Sequence, residues 1–204
     1  MIWDWNGTLL NDAELCVQTI NELLVKRNLP ALSLSGYKEV FSFPVKNYYQ
    51  KIGFNFQNEP FEIPALEFTE RYNNQVIGCK LHEDSLRVLK YFQSKGIRQF
   101  ILSAMKQDIL EECLNYYRIS HFFEYVSGLD NHYAVSKVEN GHLLISDLKL
   151  DAQNLVLIGD TVHDFEVATE LGCTCILIAN GHQSKEVLWA TGATVIDRIS
   201  QLLD

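Results

Sequence analysis

The stretch that decides the fold is Met1-Ile2-Trp3-Asp4-Trp5-Asn6-Gly7-Thr8-Leu9-Leu10. Apolar residues lead up to Asp4, and Asn6-Gly7, a strong turn signal, follows it. Open α/β sheets bind ligands at the carboxyl ends of their strands, so this order predicts a short strand that carries an acidic side chain into a ligand site. Asn11 or Asp12 then provides the N-cap of a helix. A carboxylate placed in this way can act as a nucleophile or as a metal ligand.

Apolar strands and amphipathic helices alternate along the second half of the chain. The sequence predicts buried parallel strands at residues 99–102, 155–158, 175–178 and, at the end, 193–196. It predicts helices at residues 84–95, 108–117, 142–149, 164–171 and 199–203. Strands that alternate with helices of this length are typical of βαβ units. The predicted fold class is therefore α/β, with a Rossmann-like, mostly parallel sheet as its core.

The segment of residues 13–80 breaks this alternation. It is rich in aromatic residues, Asn and Gln, it lacks a good parallel-strand run, and its helical patterns cover residues 14–27, 45–52 and 63–75. We therefore expect a helical insertion that lies over the carboxyl edge of the sheet as a lid. The expected organisation is a core of residues 1–12 plus 81–204 and an α-helical cap domain of residues 13–80.

A second acidic cluster has the sequence Gly159-Asp160-Thr161-Val162-His163-Asp164. It follows a predicted strand and opens a helix, so Asp160 and Asp164 can converge with Asp4 at one edge of the sheet. Three carboxylates in one place repel each other, and a hard divalent cation with oxygen ligands removes that repulsion. Mg²⁺ is the expected cation, because it leaves room for water and phosphate oxygens. Taken singly, Asp160 and Asp164 are equally compatible with a helix cap.

Two further polar residues lie at comparable positions. Ser103 ends the predicted strand at residues 99–102, where its hydroxyl can hydrogen-bond a substrate oxygen or cap the next helix. Lys137 precedes the strand that leads to Asp160 by one helix, where a lysine can neutralise a phosphate. The alternative for Lys137 is a solvated surface side chain.

The chain resembles the haloacid dehalogenase (HAD) superfamily in four ordered motifs, which are Asp4 with Gly7-Thr8, Ser103, Lys137, and Gly159-Asp160 with Asp164. The resemblance spans nearly the whole chain. The helical insertion between the first two motifs is similar to the small cap of the phosphoglycolate phosphatase and phosphoglucomutase branch. The resemblance thus implies a hydrolase fold with a helical cap.

The resemblance also implies a magnesium-dependent phosphatase that acts on a small phosphorylated metabolite such as phosphoglycolate or a sugar phosphate. Asp4 would attack phosphorus and form an aspartyl-phosphate. The implied Mg²⁺ ligands are Asp4, the backbone carbonyl of Asn6, Asp160 and Asp164. The implied phosphate ligands are Thr8, Ser103, the backbone amides around Trp5 and Ala104, and the cation Lys137. In the cap, Lys46 is a candidate contact for a substrate carboxylate.

Asn6 departs from the family pattern. Family phosphatases carry a second Asp there, which protonates the leaving alcohol and then activates water. An amide does neither at neutral pH, and acid–base assistance is typically worth about 10²–10⁴ in rate. Three interpretations follow, of which we favour the first: a phosphatase that is slowed or that selects leaving groups needing little protonation, a phosphonatase-like enzyme with a cap lysine, or a phosphate sensor without turnover. The lysines available to a phosphonatase are Lys26, Lys38, Lys46 and Lys51.

The amino-acid composition limits the binding partners and the cellular location that we expect for the protein. A formal charge of −9 disfavours nucleic acid as the main partner. No apolar run approaches the roughly 20 residues that a membrane span requires. Five cysteines without paired spacing, together with the lack of a signal-peptide pattern, favour a reducing, cytoplasmic location. We expect a monomer or homodimer that binds neither nucleic acid nor membrane.

Overall fold

The computed structural model describes residues 1–129 and 137–203. Its strands are β1 (Ile2–Trp3), β2 (Leu10–Asn11), β3 (Lys80–Leu81), β4 (Phe100–Lys106), β5 (Tyr125–Leu129), β6 (Val156–Gly159), β7 (Thr174–Ile178) and β8 (Thr194–Ile196). Its helices are α1 (Ala13–Lys26), α2 (Leu34–Val40), α3 (Val45–Lys51), α4 (Glu62–Asn73), α5 (Ser85–Ser94), α6 (Gln107–Tyr116), α7 (Lys137–Asp147), α8 (Val162–Leu171) and α9 (Lys185–Trp189). Short 3₁₀ helices cover Val76–Gly78, Ser120–Phe122, Ala152–Asn154 and Ile199–Leu203.

Six strands form one parallel sheet in the order β5-β4-β1-β6-β7-β8, which confirms the predicted α/β class. The first strand has only two residues, yet it lies inside the sheet, where Ile2 pairs with Phe100 on β4 and with Leu157 on β6. This order places β1, which leads to Asp4, between β4, which contains Ser103, and β6, which leads to Asp160. The strand predicted at residues 99–102 thus continues through Ser103 to Lys106. The carboxyl ends of β1, β4 and β6 therefore meet at one edge, as the sequence predicted.

Burial on both faces holds the short first strand in place. Successive side chains of a strand point to opposite faces of the sheet. Ile2 accordingly packs in one apolar cluster with Leu102 and Leu157, whereas Trp3 packs in the other with Ile101. All five side chains are fully buried. The apolar residues before Asp4 thus fix where that carboxylate emerges.

A two-stranded antiparallel ribbon connects residues 13–80 to the rest of the chain. In this ribbon Leu10 pairs with Leu81 and Asn11 with Lys80. The helices α1 to α4 lie between these two strands, and α1 packs against α2 and α4. The helix α2 was not predicted, because its seven residues include a glycine and a serine. None of the helices in the described residues has the length and apolar character that a membrane span requires.

The strand β5 and the helix α7 also differ from the sequence prediction. The edge strand β5 was missed, because its sequence Tyr-Val-Ser-Gly-Leu is half polar and only partly buried. The helix predicted at residues 142–149 begins at Lys137 instead. Gly141 lies inside this helix as a packing residue, because a Cβ there would lie 2.6 Å from Leu171 of α8. The helix therefore continues through Gly141 and carries Lys137 on its first turn.

Candidate active site

Three buried carboxylates converge at the carboxyl edge of the sheet. Asp4 directly follows β1, and its backbone N–H donates to the Ile158 carbonyl of β6 at 2.8 Å. Asp160 directly follows β6, and Asp164 lies in the first turn of α8. One oxygen from each carboxylate lies within 4.8 Å of the others. The convergence predicted for Asp4, Asp160 and Asp164 is thus what the structure shows.

Lys137 lies between two of these carboxylates. Its Nζ donates to Asp4 Oδ1 at 2.5 Å and to Asp164 Oδ1 at 2.5 Å, and the residue is only 4% exposed. Burial alone would lower the pKa of Lys137, but the attraction of Asp164 and Asp4 outweighs it and raises the pKa. Burial alone would raise the pKa of Asp164, but Lys137 and the Thr161 hydroxyl hold that pKa below its usual value. Lys137 is therefore a buried cation and not a surface lysine.

Asp4 and Asp160 have raised pKa values in spite of the basic groups beside them. Burial raises the pKa of Asp4 to about 6, although Lys137 acts in the opposite direction. Burial raises the pKa of Asp160 to about 8, and repulsion by Asp4 and Asp164 adds to it against the attraction of His182. One lysine thus faces three acids. An all-oxygen donor set with excess negative charge fits a hard divalent cation such as Mg²⁺.

The two predicted phosphate-binding hydroxyls are directed elsewhere. The fully buried Thr8 donates its hydroxyl to Asp160 Oδ1 at 2.9 Å and lies 3.3 Å from Asp4 Oδ2, so it bridges the carboxylates. Ser103 is also fully buried, and its Oγ accepts the Met105 N–H at 3.0 Å. The register of β4 against β5 shifts between Leu102 and Lys106 around this serine. A direct phosphate contact by Thr8 or Ser103 stays a prediction.

Asp12 has a role that the sequence did not reveal. Although it occupies the N-cap position of α1, its side chain makes no capping hydrogen bond. It is 1% exposed and accepts four close hydrogen bonds. The donors are Gly7 N (2.8 Å), His182 Nε2 (3.1 Å), Asn6 Nδ2 (2.9 Å) and the Tyr72 hydroxyl (2.5 Å). The predicted cap is thus a buried acceptor beside the site.

His182 is the cationic partner of Asp12. Its Nδ1 lies 3.0 Å from the Tyr37 hydroxyl, and its backbone N–H donates to Asp160 Oδ2 at 2.6 Å. Burial would lower the pKa of His182, but Asp12 and Asp160 raise it to about 9. Burial would raise the pKa of Asp12, but His182, Tyr72 and Asn6 lower it to about 2. The two side chains form a buried ion pair, to which Tyr37 and Tyr72 of residues 13–80 are hydrogen-bonded.

A second group of potential metal ligands lies in this network, since Asp12, Cys16 and His182 also offer atoms within 4.8 Å of one another. Burial and the charge of Asp12 raise the pKa of Cys16 well above its usual value. Cys16 Sγ lies 3.9 Å from Asp12 Oδ2, and His182 Nε2 lies 3.1 Å from Asp12 Oδ1. We therefore describe this group as a hydrogen-bonded network.

Replacing Asp12 with Asn is expected to destabilise the protein by about 3–5 kcal/mol, because it leaves His182 buried without its anionic partner. Tyr72→Phe, which removes one hydrogen bond to the same carboxylate, is the matched comparison and is expected to cost about 1.5–3 kcal/mol. Urea unfolding of the metal-free variants measures both. A loss below about 1 kcal/mol for Asp12→Asn would show that the ion pair contributes little.

A cavity of about 330 Å³ opens above the carboxylates. Its wall includes Asp4, Asn6, Ala104, Lys137, Asp160 and Asp164, together with side chains of residues 13–80. Among the described residues, Thr8, Ser103 and Lys46 are not part of this wall. Lys46 instead lies 5.9 Å from the ring centres of Phe56 and Phe61. The structure therefore brings most predicted site residues together but places Lys46 elsewhere.

A parallel α/β sheet that gathers three carboxylates and a buried lysine under a helical insertion defines a Rossmann-like hydrolase. The chain belongs to the haloacid dehalogenase-like hydrolase family, whose model matches residues 1–178. No curated protein sequence matches the chain.

Solved structures with the same fold have diverged far in sequence. A predicted phosphatase from Clostridium acetobutylicum is 16% identical with a TM-score of 0.83, and the match covers 98% of this chain and 94% of that one. A predicted phosphoglycolate phosphatase from Haemophilus somnus is 16% identical with a TM-score of 0.77, covering 99% and 95%. Protein tyrosine kinase A of Mycobacterium tuberculosis is 20% identical with a TM-score of 0.81, covering 98% and 94%. Because these proteins are named for different activities and share at most 20% identity with this chain, the likeness shows the fold alone.

Proposed function

We propose that the protein is a Mg²⁺-dependent phosphatase that hydrolyses a small phosphomonoester through an aspartyl-phosphate on Asp4. The observation that carries this proposal is the placement of Lys137, whose Nζ lies 2.5 Å from both Asp4 and Asp164 on the wall of the cavity. A buried lysine there can neutralise an incoming phosphate next to a nucleophilic carboxylate. Residues 13–80 would act as the cap, since they supply much of the cavity wall.

Mg²⁺ would be held by Asp4, Asp160 and Asp164, with the Asn6 backbone carbonyl as a further ligand. When bound, it would supply positive charge that draws the phosphate and the nucleophile together. The donor chemistry fits, because the three side chains offer only oxygen and carry excess negative charge. Thr8 and the His182 backbone N–H bind the two oxygens of Asp160 and fix its orientation.

The residues of the chain then divide the work of phosphoryl transfer. The Asp4 carboxylate attacks phosphorus in line with the leaving oxygen, so that the P–O bond to the leaving group breaks as the aspartyl-phosphate forms. Lys137 stabilises the charge on the transferring phosphoryl group. Water then cleaves the aspartyl-phosphate and restores the Asp4 carboxylate. Because Asn6 has no proton to give or take, both steps proceed without the usual acid–base residue.

Turnover with a panel of phosphate esters and one phosphonate tests this function. The panel contains para-nitrophenyl phosphate, phosphoglycolate, sugar phosphates and phosphonoacetaldehyde, each assayed with Mg²⁺ and with excess EDTA. We expect at least one ester to release phosphate in the presence of Mg²⁺, and we expect EDTA to abolish that release. Binding of phosphate without hydrolysis of any compound in the panel would instead favour a phosphate sensor without turnover.

The phosphonatase alternative gains no support from the four cap lysines, which have other contacts. Lys26 pairs with Glu67, Lys38 donates to the Asn180 carbonyl, and Lys51 donates to Ser42. Borohydride trapping with phosphonoacetaldehyde would detect a Schiff base on any of them.

Three expectations from the sequence stay predictions. They are the cytoplasmic location, the monomeric or homodimeric state, and the lack of a nucleic-acid partner.

Gly181→Ala is expected to lower kcat/KM by about 10², the order seen when a catalytic group is misplaced by about 1 Å. A Cβ at Gly181 would lie 2.1 Å from Asp160 Oδ2, so the carboxylate or the loop must shift. The Mg²⁺ concentration for half-maximal activity should rise as well. Gly78→Ala is the matched control, because a Cβ there meets nothing within 4 Å. Equal activity of the two variants would show that the Asp160 position is not critical.

A further inference from the structure

The part of the cavity wall that residues 13–80 contribute is largely aromatic. Its members include Phe41, Phe43, Tyr48, Tyr49, Phe68 and Tyr72. The rings pack in preferred geometries: Phe41 meets Tyr48 edge-on at 5.3 Å, and Phe68 stacks on Tyr72 at 5.8 Å. A cavity of roughly 150 Å³ can hold benzene. The 330 Å³ available here therefore has room for an aromatic ring together with a phosphate.

The described part of the cavity wall offers a charged substrate tail no basic side chain that lacks an acidic partner. Its lysines are Lys106 and Lys137, its histidines are His163 and His182, and it contains no arginine. His182 is paired with Asp12, and His163 Nδ1 lies 3.4 Å from Glu166. Lys137 is held by Asp4 and Asp164, and Lys106 is ion-paired with Asp108. The segment 130–136 contains no lysine or arginine in its sequence. A substrate carboxylate, such as that of phosphoglycolate, would therefore lose its water without gaining a partner.

The polar groups nearest to Asn6 are not arranged to protonate a leaving group. Asn6 donates its amide to Asp12 and to the Tyr72 hydroxyl, at 2.9 and 2.6 Å. Tyr72 in turn donates its hydroxyl hydrogen to Asp12. Both ring nitrogens of His182 are engaged, by Asp12 and by Tyr37. Among the described groups beside Asn6, none is therefore placed to protonate the leaving oxygen, which would depart as an anion.

We propose that the substrate is the phosphate monoester of a phenol, whose aromatic ring occupies the wall formed by residues 13–80. The inference rests on the proposed phosphatase function and names its leaving group. A phenol ionises near pKa ~10, several units below an aliphatic alcohol, so its anion leaves without a proton donor. The aromatic wall and the amide at position 6 are independent features, and both select the same chemical class.

The two steps balance without any other reactant. Asp4 Oδ forms a bond to phosphorus while the bond from phosphorus to the phenolic oxygen breaks, and the phenolate departs with the electron pair and takes a proton from solvent. Water then bonds to phosphorus as the bond to Asp4 breaks. Both water protons stay with the phosphate product or pass to solvent, and Asp4 is again a carboxylate.

A binding experiment isolates the recognition of the ring from the reactivity of the leaving group. Benzylphosphonate and phosphonoacetate are titrated into the Mg²⁺-loaded protein by calorimetry. We expect benzylphosphonate to bind about 10- to 100-fold more tightly, as the burial of an aromatic side chain implies. Phe68→Leu should weaken the binding of benzylphosphonate about 2- to 10-fold and leave the affinity for phosphonoacetate unchanged. Phe56→Leu, outside the cavity wall, should change neither.

Turnover separates failure of the inference from failure of the proposed function. Phenyl and naphthyl phosphates should be hydrolysed with higher kcat/KM than phosphoglycolate or glucose phosphate, and the rate should fall steeply as the phenol becomes less acidic. Tighter binding of phosphonoacetate, or faster hydrolysis of phosphoglycolate, overturns the substrate class and leaves the phosphatase intact. Absence of Mg²⁺-dependent turnover for every ester overturns both.

Discussion

Asp4→Asn is expected to lower kcat for para-nitrophenyl phosphate by about 10⁶, the order observed when a hydrolase loses its covalent nucleophile. The amide keeps the shape of Asp4, and its single oxygen can still accept the hydrogen bond that Lys137 donates to this side chain. What it loses is the anionic oxygen that bonds to phosphorus. Acid-quenched protein incubated with labelled substrate should therefore carry covalent phosphate on the wild type and none on the variant.

The exposed carboxylate of Asp147 provides the matched control for this experiment. Asp147→Asn makes the same chemical change away from the cavity and should leave both kcat and the covalent label unchanged. Circular dichroism confirms that each variant is folded. Equal turnover by wild type and Asp4→Asn would exclude an enzyme that works through this residue, and would leave phosphate binding as the remaining function of the cluster.

Asn6→Asp is expected to raise kcat for alkyl phosphates by about 10²–10⁴, because it restores a group that can protonate the leaving oxygen and activate water. The new carboxylate would replace an amide nitrogen that lies 2.9 Å from Asp12 Oδ2. Two carboxylates so close together share a proton, which is the state that a general acid requires. The gain should be smaller for para-nitrophenyl phosphate, whose leaving group needs no protonation.

Pre-steady-state kinetics sharpen this prediction. In the wild type, water attacks the aspartyl-phosphate without a base, so nitrophenol should appear in a burst ahead of phosphate. Asn6→Asp should abolish the burst. Asn6→Ala is the control, since it also breaks the hydrogen bonds to Asp12 and Tyr72 but supplies no carboxyl group, and it should bring no gain. If the Asn6→Asp protein binds Mg²⁺ normally but turns over no faster than the wild type, the amide at position 6 is not what slows the reaction.

The convergence of the acidic residues was predictable from local patterns. Asp4 and Asp160 each follow a short apolar strand and precede a turn or a helix, and parallel strands bring such ends to one edge. Lys137 was recognised by its place in the motif order. Its burial was not predictable, because it depends on the helix running through Gly141, where close packing against Leu171 is favoured over the turn preference of glycine.

Asp12 and His182 show the limit of local patterns. Asp12 has the sequence context of a helix cap, and His182 lies in the polar loop Asn180-Gly181-His182-Gln183, 170 positions further along the chain. Only the sheet order brings that loop beside Asp160. One signal was present, since a polar loop directly after the buried strand β7 must lie at the same edge as the other strand ends.

The sequence by itself determined the α/β class, the order of the strands' acidic ends and the amide at position 6, because periodicity and turn residues act over a few positions. The tertiary structure alone decided which polar groups become buried partners and what the cavity offers a substrate. Lys46 illustrates this division: its place in the chain suggested a substrate contact, and packing placed it against Phe56 and Phe61. Side-chain burial and pairing depend on elements distant in sequence, so they follow from the assembled fold.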